Sequence, residues 1–296
     1  MASSVAGLNQ QVVSRRSFLK GALCGAGGLA LYAGEFERHW LEVVKKDIGL
    51  RGLSAEFDGL TIAQLSDIHL DEFTEPFLLR EAIDAINQAR PDLVLLTGDY
   101  VSAQVLPPKL TVDAAWQCGK MLGSLQCRQR YAIFGNHDVW AGEQDVGEAL
   151  KFHGTTVLRN SYVPIERGGS RLWLAGLDDP CCGQPDPDHA IPSLIRNVAN
   201  ESIILMCHAP DYVDQLRLHP AGQAASLVLS GHTHGGQVRL PIVGPLWLPP
   251  GGCKDVEGLF QLGTTQLYVN RGIGTVGAPF RFNCRPEITL FTLRSI

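Results

Sequence analysis

Five polar clusters in this chain combine residue types and spacings that can bind metal ions: Ser66-Asp67-Ile68-His69-Leu70, Thr97-Gly98-Asp99-Tyr100, Gly135-Asn136-His137-Asp138, Met206-Cys207-His208-Ala209-Pro210 and Ser230-Gly231-His232-Thr233-His234-Gly235-Gly236. Carboxylates, an amide oxygen and imidazoles without a thiolate suit borderline divalent ions such as Mn, Zn or Fe. The D-x-H and H-x-H spacings put two donors on one side of an extended chain, because residues i and i+2 share a face, so each pair can chelate. Glycines at 98, 135, 231, 235 and 236 allow sharp turns and leave room above an ion.

The clusters are positioned by what precedes them. Each follows a short apolar run, predicted as a strand: Leu60 to Leu65, Leu93 to Leu96, Tyr131 to Phe134, Ile203 to Met206 and Leu227 to Leu229. Between the first two, Leu78, Leu79, Ile83 and Ile86 fall at helical spacing and Pro91 marks the helix end; a second helix is expected over Asp113 to Leu125. Strand patterns resume at Gln266 to Asn270 and Ile288 to Leu293. Strands alternating with helices indicate an α/β fold, in which the carboxyl ends of the strands share one edge and the clusters converge on one crevice. No internal repeat or low-complexity tract interrupts this pattern.

The chain has 296 residues with 45% apolar composition, ample for a buried core. Its 25 basic and 30 acidic residues are interspersed, giving a net charge of −5 and no basic run to grip a nucleic acid. Eight cysteines show no C-x-x-C pair of a structural zinc site. Cys207 precedes His208 and is expected to point into the core.

Residues 14 to 20, SRRSFLK, are followed by the 14-residue apolar stretch GALCGAGGLALYAG. This resembles a twin-arginine export signal. The stretch is short for spanning ~30 Å of hydrocarbon and typical of a signal core. Leu31 stands where a signal peptidase wants a small residue, so the segment can stay as an anchor. The expected division is residues 1–34 as signal or anchor, 35–57 as a lead-in with the first strand, and 58–296 as the main domain. The signal implies a twin-arginine translocase as partner and a location in the periplasm or on the outer face of the cytoplasmic membrane.

D-x-H, G-D, G-N-H-D, an isolated histidine and G-H-x-H, in this order over residues 58 to 296, resemble the calcineurin-like metallophosphoesterases. Any one motif alone would be nearly worthless; five in order are specific. The resemblance implies a four-layer α/β/β/α sandwich of two mixed sheets flanked by helices, with a dinuclear metal site at the strand carboxyl ends. Residue by residue, it implies that Asp67, His69 and His234 hold one divalent ion, that Asn136, His208 and His232 hold another, and that Asp99 bridges them. The implied reaction is hydrolysis of a phosphodiester or pyrophosphate by metal-activated hydroxide. His137 would donate a proton to the leaving oxygen or stabilise its charge. Asp138 would orient His137, or cap a helix.

SRRSFLK together with SGHTHGGQVRLP and RFNCRPEI is similar to an exported bacterial phosphodiesterase branch that includes UDP-2,3-diacylglucosamine pyrophosphatase-like enzymes. That implies a phosphoester or nucleotide-sugar-lipid substrate and contact with a membrane surface. Substrate choice falls to the loops 101–110, 139–145, 178–190 and 241–258, where Trp140 and Trp247 can form an apolar wall or simply cover core. Two other readings stand beside this one: a phosphomonoesterase or protein phosphatase, expected to offer cationic caps for a dianion, and a non-catalytic metal- or phosphate-binding envelope module. Retention of His137, which is not a ligand, argues against the second.

Gly272, Gly274 and Gly277 spell G-x-G-x-x-G, but only 19 residues follow, too few for a nucleotide-binding crossover, so a loop at the rim of the crevice is expected. Arg271 and Arg281 flank it as candidate bidentate phosphate binders, against the plainer reading of solvated surface groups. His39, His153, His189 and His219 lie outside the motifs and are expected to be ordinary histidines.

Overall fold

Short, wholly apolar runs cannot expose either face to water, so they form interior strands of a sheet covered on both sides. In the computed structural model, which describes residues 14–71, 76–103 and 108–296, these runs are the central strands of two six-stranded mixed sheets. The strands in chain order are β1 (Glu42–Leu50), β2 (Thr61–Leu65), β3 (Leu93–Leu96), β4 (Arg130–Ala132), β5 (Thr156–Val157), β6 (Ser161–Arg167), β7 (Ser170–Gly176), β8 (Ile203–Met206), β9 (Leu227–Ser230), β10 (Arg239–Leu240), β11 (Gly244–Pro245), β12 (Gly258–Leu262), β13 (Thr265–Val269) and β14 (Glu287–Ser295). The first sheet runs β1-β14-β2-β3-β4-β5, with β2 to β5 parallel and β14 antiparallel to β2. The second runs β12-β13-β9-β8-β7-β6, parallel in its middle and antiparallel at both edges. β10 and β11 form a separate small hairpin.

The helices are α1 (Arg15–Leu31), α2 (Pro76–Ala89), α3 (Pro108–Leu122), α4 (Asn136–Phe152), α5 (Pro187–Ala190), α6 (Val213–Leu216) and α7 (Pro220–Ala224). Three apolar clusters fill three interfaces. Leu79, Ile83 and Ile86 of α2, Cys118 and Leu122 of α3 and Leu150 of α4 pack on Ala63, Val94 and Leu96 of the first sheet. Ile62, Leu95 and Phe291 of that sheet meet Leu174, Ile204, Leu229 and Tyr268 of the second. The outer face of the second sheet, with Ile203, Leu205, Val228 and Leu267, is covered by Ala190, Val213, Leu216 and Ala221 of the short helices. Three interfaces separate four layers, the two mixed sheets flanked by helices that the family resemblance implies.

Several elements differ from their sequence-based bounds. α3 starts five residues before the expected Asp113, with Pro108 in a first turn that needs no N–H there. It ends at Leu122, ahead of the expected Leu125, where Ser124 and Leu125 tighten into i−3 hydrogen bonds to Met121 and Leu122. β6 and β7 were not among the anticipated strands; their hairpin turns through Gly168 and Gly169, both at positive φ. β6 carries Pro164, tolerated because the strand lies at a sheet edge.

α1 exposes its whole length, capped by the Ser14 hydroxyl, and no helix among the described residues is long and apolar enough to cross a membrane. Packing onto the domain begins at Tyr32, whose ring meets Phe282 edge-on, and continues through Ala33, Gly34 and Glu37, all buried. Ala33 accepts the Arg281 N–H, and the Glu37 carboxylate accepts that of Cys284 at 2.7 Å. β1 then lies parallel to β14 at the margin of the first sheet.

Candidate metal centre

The loops that leave β2, β3, β4, β8 and β9 meet at one edge of the two sheets. The first two are zipped together by their own backbones: Asp67 N–H donates to Gly98, and Ile68 and His69 N–H both donate to Asp99. This pairing bends the chain into the left-handed region at Asp67, His69 and Asp99, with φ of 49°, 49° and 57°. His232 and His234 are also left-handed, at 72° and 50°. Extended alternation therefore does not aim these side chains, contrary to the expectation from D-x-H and H-x-H spacing. Turned backbone does so, at sparsely populated conformations that cost about 1–3 kcal/mol each and persist only where the surroundings fix them. The β4 loop comes so close that a Cβ on Gly135 would stand 2.2 Å from an Asp99 carboxylate oxygen.

The nitrogen and oxygen donors face one another. His69 Nε2 lies 3.4 Å from Asp99 Oδ2 and 4.0 Å from Asp67 Oδ1; His234 Nε2 lies 3.4 Å from Asp67 Oδ1 and 3.1 Å from His69 Nε2. On the other side, His208 Nε2 lies 3.2 Å from Asp99 Oδ2, and the rings of His208 and His232 are 5.0 Å apart. Three groupings bring their donor atoms within 4.8 Å of one another: Asp67–His69–His234, Asp99–His208–His232 and His69–Asp99–His137.

Outer contacts fix which nitrogen is free. His208 Nδ1–H donates to Thr97 O at 2.7 Å, which leaves Nε2 facing Asp99. His232 Nε2–H donates to Pro250 O at 2.9 Å, which leaves Nδ1. Such carbonyl partners set ring orientation and basicity in metal-binding histidines. His208 Nε2 and Asn136 Oδ1 are buried atoms without a hydrogen-bond partner in the protein, the state expected of ligand atoms awaiting a cation. Divalent ions fit this donor set. Burial opposes ionisation of Asp99, yet His208 and His69 hold its carboxyl well below the usual range. Asp67 is pinned by the His232 N–H, 3.0 Å from each of its oxygens, and by the Ser66 hydroxyl.

His137 faces the cavity beside the cluster, its ring 4.7 Å from that of His69 and 5.1 Å from that of Trp140. Its Nδ1 accepts the Ala103 N–H at 3.1 Å, so the neutral ring carries its proton on Nε2. Burial pushes its pKa down to about 4. Asp138 does not touch the His137 ring. Its carboxylate accepts N–H groups from Asp99 at 2.7 Å, Tyr100 at 2.8 Å and Gly135 at 2.9 Å, which makes it the cap that ties the β3 loop to the start of α4. Burial and Asp99 raise its pKa to about 7, against the pull of Gly135 and Tyr100 N–H.

A cavity of about 460 Å³ opens over Asp99, Asn136, His137, His232 and His234. Its remaining wall is mostly apolar, with Trp140, Trp247, Pro249, Pro250 and Val276, and includes Cys181 and Cys182. Residues 104–107 of the expected 101–110 substrate loop lie outside the described residues.

Arg271 and Arg281 are not at this wall, and neither is a solvated surface group. Arg281 is fully buried and donates to the carbonyls of Arg271, Gly272, Gly274 and Cys284. Arg271 is paired with Glu287 and Glu42. The Arg281 guanidinium folds the glycine loop, while that of Arg271 joins β1 to β14; the loop backs the metal site, where Gly274 N–H donates to Asp67 O at 2.7 Å and a Cβ on Gly272 would stand 2.4 Å from Asp67 Cβ, and reaches the rim of the cavity at Val276. Cys207 is buried in the outer core, as expected. His39, His153, His189 and His219 do not line the cavity.

One cluster escaped the sequence reading. Asp178-Asp179 follows β7 with the same rhythm of apolar run and then aspartate. Asp179 Oδ2 takes the N–H groups of Cys181 and Cys182, shaping the turn that brings both thiols to the cavity.

Residues 60–236 match the profile of the calcineurin-like phosphoesterase family. The chain is 36% identical to the metallophosphoesterase YkuE of Bacillus subtilis (strain 168), over 96% of this chain and 98% of that one. It is 32% identical to the phosphodiesterase YaeI of Escherichia coli (strain K12), over 95% and 100%. It is 25% identical to the UDP-2,3-diacylglucosamine pyrophosphatase LpxG of Chlamydia trachomatis serovar D, over 88% and 91%. With its motifs gathered at one sheet edge and its relatives matched nearly end to end, the chain belongs to the calcineurin-like metallophosphoesterases and is a hydrolase of that family.

Proposed function

We propose that this enzyme cleaves a phosphodiester or pyrophosphate bond in a small molecule with a bulky apolar part, such as a nucleotide-sugar lipid. The observation that carries the reading is the cavity wall: among the described residues it offers tryptophan, proline and valine around the donor cluster and no lysine or arginine. A phosphomonoester dianion would lack a cationic cap there. A diester, with one charge per phosphate and two substituents, suits an apolar wall better. The phosphodiesterase and pyrophosphatase among its relatives support the same choice.

In this reading Asp67, His69 and His234 would hold one divalent ion, Mn, Zn or Fe, and Asn136, His208 and His232 would hold another, with Asp99 available to both. When bound, such ions supply Lewis acidity to the phosphoryl oxygens and to water. His137 offers its Nε2–H to the oxygen that gains charge as the ester bond breaks, and its buried neutral ring keeps that proton in place. Trp140 and Trp247 orient the apolar substituent.

The reading extends to place. SRRSFLK at the start of α1 supports passage through the twin-arginine translocase to the periplasm or the outer face of the cytoplasmic membrane, with work at a membrane surface. Replacing Arg15 and Arg16 by lysine is expected to retain the protein in the cytoplasm; unchanged export removes this part. For the chemistry, the Mn²⁺-loaded chain is expected to hydrolyse bis-p-nitrophenyl phosphate faster than p-nitrophenyl phosphate. Asp99→Asn is expected to lose both bound metal and turnover. Faster monoester cleavage would replace the proposal with the phosphomonoesterase reading.

A further inference from the structure

The β10–β11 hairpin is built against ordinary folding logic. Leu240 to Trp247 reads LPIVGPLW, without a charge or a hydrogen-bonding side chain apart from the Trp247 indole. At its tip Ile242 is fully exposed, Val243 is 70% exposed, and Leu246 and Trp247 are 58% and 61% exposed. Ile242 also sits at φ 71°, a left-handed conformation that is a genuine outlier for a β-branched residue. Asparagine or glycine there would relieve the strain and remove apolar surface from water. Stability of the isolated fold accounts for neither choice.

The root of the hairpin is rigid. Arg239 N–H donates to Phe282 O, Phe282 N–H to Gln237 O, and Leu246 N–H to Val238 O. The Gln237 amide is further bonded to Val276 and Ala278. The same strip holds the foot of α1, since Arg281 N–H donates to Ala33 and the Phe282 ring meets Tyr32. Tyr32 and Pro241 line one shared cleft. Two exposed apolar elements, the hairpin tip and the helix with Phe18, Leu19, Leu23 and Leu29, thus spring from one spot. Arg15, Arg16 and Lys20 add exposed positive charge to the helix. Trp247 continues the hairpin into the wall of the active cavity.

We propose that the tip of this hairpin, Pro241 to Leu246, inserts into the apolar boundary of an anionic lipid bilayer beside α1, bringing the cavity mouth to the membrane surface. A bilayer is the occupant that fits. The hairpin is a convex apolar projection, which fluid lipid accepts without a matching groove, and the neighbouring apolar helix carries the basic residues that anionic headgroups attract. A tryptophan at the base of the projection is the residue that favours the headgroup level. The inference deepens the envelope reading above and rests on it for the lipid character of the substrate, but not for hairpin insertion.

The test uses the full chain with vesicles of phosphatidylcholine and phosphatidylglycerol. Co-sedimentation is expected, and Ile242→Asp with Val243→Asp is expected to weaken partition by about tenfold or more, because carboxylates oppose entry to apolar depth. Vesicles carrying brominated acyl chains are expected to quench the parent's tryptophan emission more than that of Trp247→Phe. Hydrolysis of soluble bis-p-nitrophenyl phosphate by the double variant is expected to be unchanged, since neither residue lines the cavity, and this reports that it has folded. Vesicle binding without bis-p-nitrophenyl phosphate hydrolysis by the parent would refute the proposed chemistry and leave insertion standing. Equal partition of parent and double variant, no binding by the parent, or no Trp247-dependent quenching overturns the insertion. So does a parent dimer, seen by sedimentation velocity, that the double variant splits without any change in vesicle binding, since a second copy would then cover the hairpin.

Discussion

Asp138 accepts N–H groups from Asp99, Tyr100 and Gly135, while the Nδ1 of the His137 ring is taken by the Ala103 N–H. The two residues, adjacent in sequence, therefore serve different ends, and their substitutions separate. His137→Gln is expected to retain the full metal content by elemental analysis and to lose about 10²–10³ in kcat toward the diester, the usual effect of removing one donor at a developing charge. Loss of metal in this variant would reassign His137 to the ligand set. Asp138→Asn replaces one acceptor oxygen by an N–H donor facing an N–H donor. It is expected to destabilise the protein by about 1–3 kcal/mol for each group left unpaired, read from urea midpoints. An unchanged midpoint would sink the capping role. At this scale the sequence named the donors through residue type and order, but it did not disclose the left-handed backbone that aims five of them. That conformation is imposed by hydrogen bonds between loops distant in sequence, such as Asp67 to Gly98, and local spacing carries no trace of it.

Among the elements, the loop from Arg271 to Gly277 shows how a motif can be read correctly for what it is not. Too short for a nucleotide fold, it instead forms the floor behind Asp67, folded around the buried Arg281 guanidinium. Gly272 occupies φ 65° with Asp67 Cβ where its own Cβ would be. Gly272→Ala is expected to displace Asp67 and weaken metal binding at least about tenfold, because both the conformation and the contact disfavour a side chain. Titration with Mn²⁺ in a competitive chelator checks this, and wild-type affinity would show that the floor yields. The burial of Arg281 was not legible, since it depends on carbonyls gathered from four residues by the tertiary turn. β3 and β8 were legible to the residue, because complete apolarity leaves them one place to go, whereas β4 runs over Arg130–Ala132 and stops two residues before the expected Phe134. The β6–β7 hairpin was not legible, because an edge strand needs no such uniform pattern.

For the whole molecule, the donor cluster draws on loops from both sheets, so bound cations tie the two halves together. Chelation with EDTA is expected to lower the thermal midpoint, and Mn²⁺ to restore it, by an amount that follows occupancy: about 2.7 kcal/mol at a hundredfold excess over Kd. A midpoint indifferent to EDTA and Mn²⁺ would mean that no cation stabilises the native state. The α/β class was legible from the alternating runs and the two-sheet architecture from the family resemblance, but not the pairing at the margin of the first sheet, where β14 lies between β1 and β2 and aligns Glu42 with Glu287. That pairing has a consequence for unfolding. β14 is hydrogen-bonded to β1 on one side and to β2 on the other, and Glu42 of β1 and Glu287 of β14 both hold Arg271. Peeling β14 away would therefore strip two strands of their neighbour and release the arginine that opens the glycine loop behind Asp67, so the margin of the sheet and the floor of the centre loosen together.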